Sequence, residues 1–388
     1  MEYRRFGRLD WKASALGFGC MRLPTVGGDH SHIDEPLATR MIYYAIDHGV
    51  NYIDTAYPYH GGNSERFLGK VLKGSYRDRI RLATKLPCWL IAERGDFDRY
   101  FNEQLERLQT DHIDFYLLHS LHANTWHKVR DLGVLEWAEE ARRSGRIGHL
   151  GFSFHDRYEV FKEIVDAYEG WDFCQIQYNY MDVDNQAGMQ GLRYAASKGL
   201  AVVVMEPLLG GRLANPPAAV QAVWDSAPRK RSAVEWALQW LWNQPEVSVV
   251  LSGMSAMEHV VENVACAERS GVGTLGAEEI ALVDRARAAY LGLRPIPCTG
   301  CEYCLPCPNG LGIPSLLDML NSVALYGDIE GGRRRYGHMP EGERAGACQE
   351  CRQCEDLCPQ QIPISEWMGR IHRVFGEGHP LEEVLSGR

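Results

Sequence analysis

Short apolar runs alternate with longer amphipathic segments from the start of the chain to about residue 290. The apolar runs fall at 15–20, 51–54, 80–84, 113–118, 147–153, 173–177, 200–205 and 247–251. They are rich in β-branched residues and apolar almost throughout, the pattern of strands covered on both faces of a parallel sheet. Between them apolar positions recur at three- and four-residue spacing, which predicts helices. These cover 37–48, 64–72, 96–108, 134–144, 156–168, 185–197, 231–242 and 257–269. Eight β-then-α units predict an α/β fold, a (β/α)8 TIM barrel over 1–290, with a doubly wound sheet as the alternative.

The pattern changes after Pro295-Ile296-Pro297. Cysteines then dominate: Cys298, Cys301, Cys304 and Cys307, followed by Cys348, Cys351, Cys354 and Cys358. Each run ends in Cys-Pro, and each is followed by an Ile-Pro step and a serine, Ser315 or Ser365. The serines are expected to cap helices over 316–326 and 366–375, because a hydroxyl can accept from the open N–H groups of a first turn. Residues 291–388 therefore read as a small, mainly helical iron–sulfur domain. The second run has the C-x2-C-x2-C-x3-CP spacing of bacterial ferredoxins; the first is one residue shorter before its last cysteine. Four thiolates at such spacing suit a [4Fe–4S] cluster, with zinc as the competing metal. By the ferredoxin pattern the fourth cysteine of each run serves the other cluster. Cys298, Cys301, Cys304 and Cys358 would then hold one cluster, and Cys348, Cys351, Cys354 and Cys307 the other.

Composition narrows the classes. The 388 residues include 51 acidic and 41 basic side chains, a net charge of −10, with 45% hydrophobic residues. That is ordinary for a soluble globular protein and argues against a nucleic-acid partner, since such binding draws on cationic contacts to phosphate. No apolar run approaches the ~20 residues of a membrane span, and the first residues lack the apolar core of a signal peptide. A cytoplasmic protein is expected, where clustered cysteines mean metal or redox chemistry rather than disulfides. The short basic run Arg333-Arg334-Arg335 reads as a solvated loop.

In a barrel of this kind, chemistry belongs at the carboxyl ends of the strands. The second predicted strand ends in Asp54-Thr55-Ala56-Tyr57-Pro58-Tyr59-His60-Gly61-Gly62-Asn63-Ser64-Glu65, the third in Lys85 and the fourth in His119. With these residues in order, and with Tyr3-Arg4-Arg5-Phe6-Gly7-Arg8 at the start, residues 1–290 resemble the aldo/keto reductase family. The remainder resembles the ferredoxin-type domain fused to one branch of it.

Carbonyl reduction needs a hydride donor, a proton donor and a group that orients the oxygen. An ammonium beside a phenol favours the phenolate, so Lys85 is expected to tune Tyr59, with Asp54 holding Lys85 and His119 bonding the substrate oxygen. Tyr57 is the rival phenol, and the family spacing favours Tyr59. His122 reads as a loop residue rather than half of a metal pair. The resemblance implies NADP or NAD as cofactor, contacted by Gly19 and Met21 after strand 1, Ser153 after strand 5, Gln175 in strand 6, and Met205, Pro207 and Leu208 after strand 7. It adds Gly253, Ser255, His259, Glu262 and Asn263 around strand 8. Arg212 is a candidate for a 2′-phosphate. Gly17-Phe18-Gly19 lacks the third glycine of a dinucleotide fingerprint; its glycines are expected to let the backbone approach the cofactor. Trp89 and Trp126 either face a ring-shaped substrate or pack. Three functions compete: hydride transfer to a small carbonyl or alcohol substrate, electron transfer through the clusters to a ferredoxin-like partner, and a cofactor-binding module without catalysis.

Overall fold

The computed structural model describes residues 1–298 and 300–386. It contains two compact units, Met1–Pro216 with Trp224–Asp284, and Pro217–Val223 with the chain from Arg285 onward. In the first unit eight parallel strands close on themselves. They are β1 (Leu16–Gly19), β2 (Tyr52–Asp54), β3 (Arg81–Leu86), β4 (Ile113–Leu121), β5 (Ile147–Phe154), β6 (Phe173–Gln177), β7 (Ala201–Met205) and β8 (Val247–Gly253). β8 pairs with β1, so the expected (β/α)8 barrel is present and the doubly wound alternative is not. The register aligns the strand ends that matter. Gly253 lies opposite Gly19, Gly19 opposite Asp54, and Asp54 opposite Ala83.

Two strands too short to show a period, Tyr3–Arg5 and Lys12–Ser14, form an antiparallel hairpin that the pattern does not reveal. It drives Phe6 into the barrel, where the ring meets Tyr52, Phe115 and Phe173 at centroid separations of 4.8–6.0 Å. Arg4 fastens the hairpin by donating to the carbonyls of Trp242 and Gln244. Gly17 also serves the core rather than a cofactor. A Cβ there would stand 2.8 Å from Val249 Cγ1, so only glycine fits between the inward side chains.

Three predicted helices begin later than their periodicity implies, the seventh at Ala233 behind its Ser232 cap. The fifth starts at Tyr158 because the Asp156 carboxylate instead accepts from Ala123 N and Arg157 N. The sixth starts at Gly188 because Gln186 is left-handed at φ 55°, a conformation an α-helix does not pass through. The stretch after β4 is a helix, Ala123–Asp131, and it buries Trp126 completely. Of the two tryptophans singled out in the sequence, Trp89 keeps an exposed face.

The second unit is helical. Helices Ile313–Tyr326, Ile329–His338 and Ile364–Phe375 pack Leu316, Leu320, Met368, Ile371 and Val374 into one core. Asn321 pins the lead-in to the first cysteines by exchanging two hydrogen bonds with the backbone of Ile296. Three expectations are corrected here. The helices begin at Ile313 and Ile364, and Ser315 and Ser365 lie inside them rather than capping them. Ser315 accepts from Arg335, and Ser365 donates to Glu355. The basic run 333–335 is helical, with Arg333 bonded to Glu330 and to the Gly378 carbonyl. Among the described residues no helix is long and apolar enough to cross a membrane.

Candidate active site

At the end of β2 and β3 the chain buries a lysine and an aspartate together. Lys85 Nζ donates to Asp54 Oδ1 at 2.6 Å, to the Thr55 carbonyl at 2.7 Å and to Tyr59 Oη at 3.2 Å. An ammonium has three protons, and all three are used. Burial alone would discharge Lys85, but Asp54 and Tyr59 together hold its pKa above the ordinary lysine value. Burial raises the Asp54 carboxyl, and Lys85 opposes it; the 2.6 Å contact marks an ion pair. Tyr59 departs from the expectation. Burial raises its phenol above the usual value and outweighs the lowering by Lys85, so Tyr59 is protonated at neutral pH. The rival Tyr57 is engaged elsewhere, donating to Glu103 at 3.0 Å with the Arg107 guanidinium over its ring.

His119 meets the Tyr59 ring edge-on at a centroid distance of 6.0 Å, and the Trp89 ring packs on it at 5.0 Å. Burial and the Lys85 charge push its pKa well below the usual histidine value. Its Nδ1 is buried without a partner. A neutral imidazole beside a phenol is the pair needed to bond a carbonyl oxygen. His122 ends β4's loop at the start of the next helix, away from any ligand cluster; among the described residues no three His, Cys, Asp or Glu groups converge as a single metal ion requires.

Next to this group lies a buried network that the sequence pattern does not reveal. Glu65 accepts from Thr84 Oγ1 and Gln104 Nε2, both at 2.6 Å, and pairs with Arg107 at 3.3 Å. Gln104 also donates to the Lys85 carbonyl. The network fixes β3 at the residue that carries the ammonium. Its signal was present in the Ser64-Glu65 step of the motif, but its partners lie 19 to 42 residues away.

Tyr59 and Asp54 open on a cleft of about 470 Å³. The walls include Gly19, Met21, Gln175, Met205, Pro207, Leu208, Gly253, Ser255, His259, Glu262 and Asn263, all candidates from the sequence. Two further cofactor candidates do not line the cleft, although Ser153 lies opposite Gln175 in the strand register. Ser153 is buried and accepts from the Ser120 N–H, holding the end of β4, and exposed Arg212 lies outside the lining. Gln175 Oε1 is buried on the wall without a partner, a ready acceptor for a carboxamide N–H. At the far end Glu262 accepts from Ser232 and Asn263 donates to Ser252, which fixes both amide and carboxylate. The donors and acceptors thus suit a nicotinamide dinucleotide. Arg22 and Glu206, which no sequence motif marks, also line the cleft. They lie 3.7 Å apart on the wall, from the segments after β1 and β7.

In the second unit Cys298, Cys301, Cys304 and Cys358 line one small pocket. Cys348 interacts electrostatically with Cys307 and Cys351, and Cys354 with Cys348 and Cys351. The fold therefore brings the fourth cysteine of each run to the other run. All twelve cysteines are free thiols. Four thiols lining one pocket suit a [4Fe–4S] cluster.

Comparison with known proteins agrees with this arrangement. The aldo/keto reductase family pattern matches residues 15–288, and a 4Fe–4S dicluster domain matches residues 297–362. L-galactose dehydrogenase of Arabidopsis thaliana is 29% identical over 68% of this chain and 88% of its own length. NADH-specific methylglyoxal reductase of Escherichia coli is 27% identical over 67% and 91%. The holo form of an aldo-keto reductase from Bacillus halodurans superposes with a TM-score of 0.62 at 29% identity, covering 74% of this chain and 96% of that one. The chain belongs to the aldo/keto reductase family, in a branch with a C-terminal 4Fe–4S domain, and is an NAD(P)-dependent oxidoreductase.

Proposed function

We propose that the barrel reduces a small carbonyl compound to its alcohol, with Tyr59 as the proton donor. The observation that carries this reading is the buried chain Asp54–Lys85–Tyr59 beside neutral His119, opening on a cleft fitted for a dinucleotide. Bound reduced nicotinamide supplies the hydride. His119 donates to the carbonyl oxygen and orients it. Tyr59, protonated at neutral pH, passes its proton to that oxygen as negative charge develops there. Lys85 then bonds the phenolate oxygen left behind, and Asp54 keeps Lys85 charged through the cycle. One hydride and one proton enter the carbonyl, giving the alcohol and oxidised nicotinamide.

NADH suits the cleft better than NADPH. Arg22 is the one Arg or Lys among the described wall residues, and Glu206 already pairs with it, whereas Glu262 adds a further negative charge. A 2′-phosphate would meet little to hold it. The relatives are named for L-galactose and methylglyoxal, both small oxygen-rich compounds, and we extend that class to this substrate. We place the protein in the cytoplasm, where thiols stay reduced.

The two cysteine groups fit [4Fe–4S] clusters held by Cys298, Cys301, Cys304 and Cys358, and by Cys348, Cys351, Cys354 and Cys307. A second reading, electron transfer to a ferredoxin-like partner, is favoured by the exposure of Cys301 and Cys351 beside exposed Tyr303 and Leu357. Anaerobic addition of NADH to the iron-replete protein separates the two. Nicotinamide consumption only after a carbonyl compound is added, with the cluster absorbance unchanged, supports the reductase. Bleaching of the clusters by NADH alone supports electron transfer.

A further inference from the structure

The turn that carries Tyr59 contains a residue to which the proposed chemistry gives no task. His60 is completely buried, and its backbone is left-handed at φ 54° and ψ 42°. That conformation is uncommon and costly away from glycine. Gly61 and Gly62 follow at φ 63° and 89°, so the turn already has residues that take this shape freely. A polar ring placed there needs a reason in its contacts.

Both ring nitrogens reach the same segment of chain. Nε2 accepts from the Leu23 N–H at 3.2 Å, and Nδ1 lies 2.7 Å from the His30 carbonyl. A neutral imidazole has one donor and one acceptor, so the tautomer protonated on Nδ1 satisfies both bonds. The His30 ring lies over the His60 ring at 4.6 Å and 26°. Leu23 and His30 are the two sides of a loop that closes on itself. Thr25 bridges to Ile33, Val26 N–H donates to the His32 carbonyl, and Asp34 N–H donates to the Pro24 carbonyl. Leu23, Thr25 and His30 all line the cleft, beside Arg22. His60 is thus the tie between the loop after β1 and the turn after β2 that presents Tyr59.

We infer that His60 is a positioning residue that pins the 23–33 loop against the Tyr59 turn and so fixes one wall of the dinucleotide and substrate cleft. The proton relay itself is anchored separately, through Lys85 and Asp54. Losing His60 therefore releases the wall and leaves the relay standing. The role in substrate binding rests on the reductase reading; the tie itself does not.

The test uses the full iron-replete chain with H60G and H60N. Glycine removes both ring bonds and relieves the left-handed backbone. Asparagine tolerates that backbone and can still donate to the His30 carbonyl. For H60G, amide hydrogen exchange across 23–33, read without ligand, is expected to quicken by about tenfold or more. NADH affinity should weaken and the KM for the carbonyl compound should rise, each by about tenfold, with kcat within about twofold. H60N should fall between H60G and the parent. Wild-type exchange and wild-type NADH affinity in H60G would overturn the inference, as would a kcat loss with unchanged KM. If H60G does not fold, H60N decides on the same readouts. If no carbonyl compound is turned over by the parent, the reductase reading fails, and exchange with NADH affinity still judges the tie.

Discussion

In the barrel, Lys85 is enclosed by Asp54, the Thr55 carbonyl and the Tyr59 hydroxyl, and Glu65 by Thr84, Gln104 and Arg107. Each buried charge has its opposite or its hydrogen bonds within the chain. In the second unit Cys298, Cys304 and Cys358 adjoin one another, and Cys348 adjoins Cys307 and Cys354, like beside like, with backbone N–H groups of Gly300 and Glu350 as the main polar company. The barrel site balances its charges within the polypeptide and leaves His119 Nδ1 and Gln175 Oε1 for ligands. The cysteine site is a set of ligands, whose grouping becomes favourable once a cationic cluster joins them. The first therefore owes its geometry to packing, the second to metal.

The largest expected effect breaks the barrel half of that contrast at one atom. Y59F removes the proton donor and leaves the ring, the Asp54–Lys85 pair and the cleft. General acid catalysis is worth about 10²–10⁴-fold, so kcat for carbonyl reduction should fall by that factor while NADH affinity and iron content stay constant. A variant retaining full kcat would end the assignment of Tyr59.

Next comes the metal half. Cys298, Cys304, Cys307, Cys348, Cys354 and Cys358 pack partly buried against the core of Leu316, Leu320, Met368 and Ile371. Chelating the iron should therefore loosen this unit, seen as fast proteolysis between 298 and 358, while the barrel keeps its protection. C304S should lose about half of the iron if the two sets are independent four-cysteine sites. Full iron retention in C304S would refute its place in the set.

How far each half could be read in advance follows from the same difference. All eight barrel strands stand out because a strand covered on both faces must be apolar along its length. Asp54, Lys85 and His119 stand out because they interrupt those runs at the ends. The cysteine spacing is legible because the ligands of one run are local. What stays hidden depends on contacts remote in sequence. The Phe6 hairpin is too short to show a period, Arg22 and Glu206 meet across 184 positions, and the raised phenol of Tyr59 reflects how deeply the fold buries it. Asp156 delays one helix because its carboxylate holds the Ala123 and Arg157 N–H groups, and left-handed Gln186 delays another, neither of which periodicity registers.

A smaller effect concerns pH. His119 is neutral in the folded barrel because burial lowers its pKa well below 6.5. Its unfolded counterpart takes up a proton near that value. The stabilisation is thus fully present above pH 6.5 and is lost as the pH falls towards the folded value. Thermal stability of the barrel should decline on acidification from pH 6.5, and H119N should flatten that slope. An unchanged slope in H119N would assign the acid sensitivity to other groups.

The smallest effect sharpens the contrast at the cleft wall. Arg22 and Glu206 are 3.7 Å apart with half and a third of their side chains exposed, 49% and 32%. Exposed pairs of this kind contribute roughly 0–1 kcal/mol, because water screens the attraction and both long side chains lose freedom. R22A should therefore leave the melting temperature nearly unchanged and move NADH affinity by less than about fivefold. E206Q is the more informative partner. It frees the Arg22 guanidinium on a wall that otherwise carries carboxylates, so NADPH should gain on NADH in this variant, by a modest factor. The same change in a cleft whose preference were set elsewhere would shift both cofactors equally. The ratio of the two affinities, rather than either alone, is the quantity to measure.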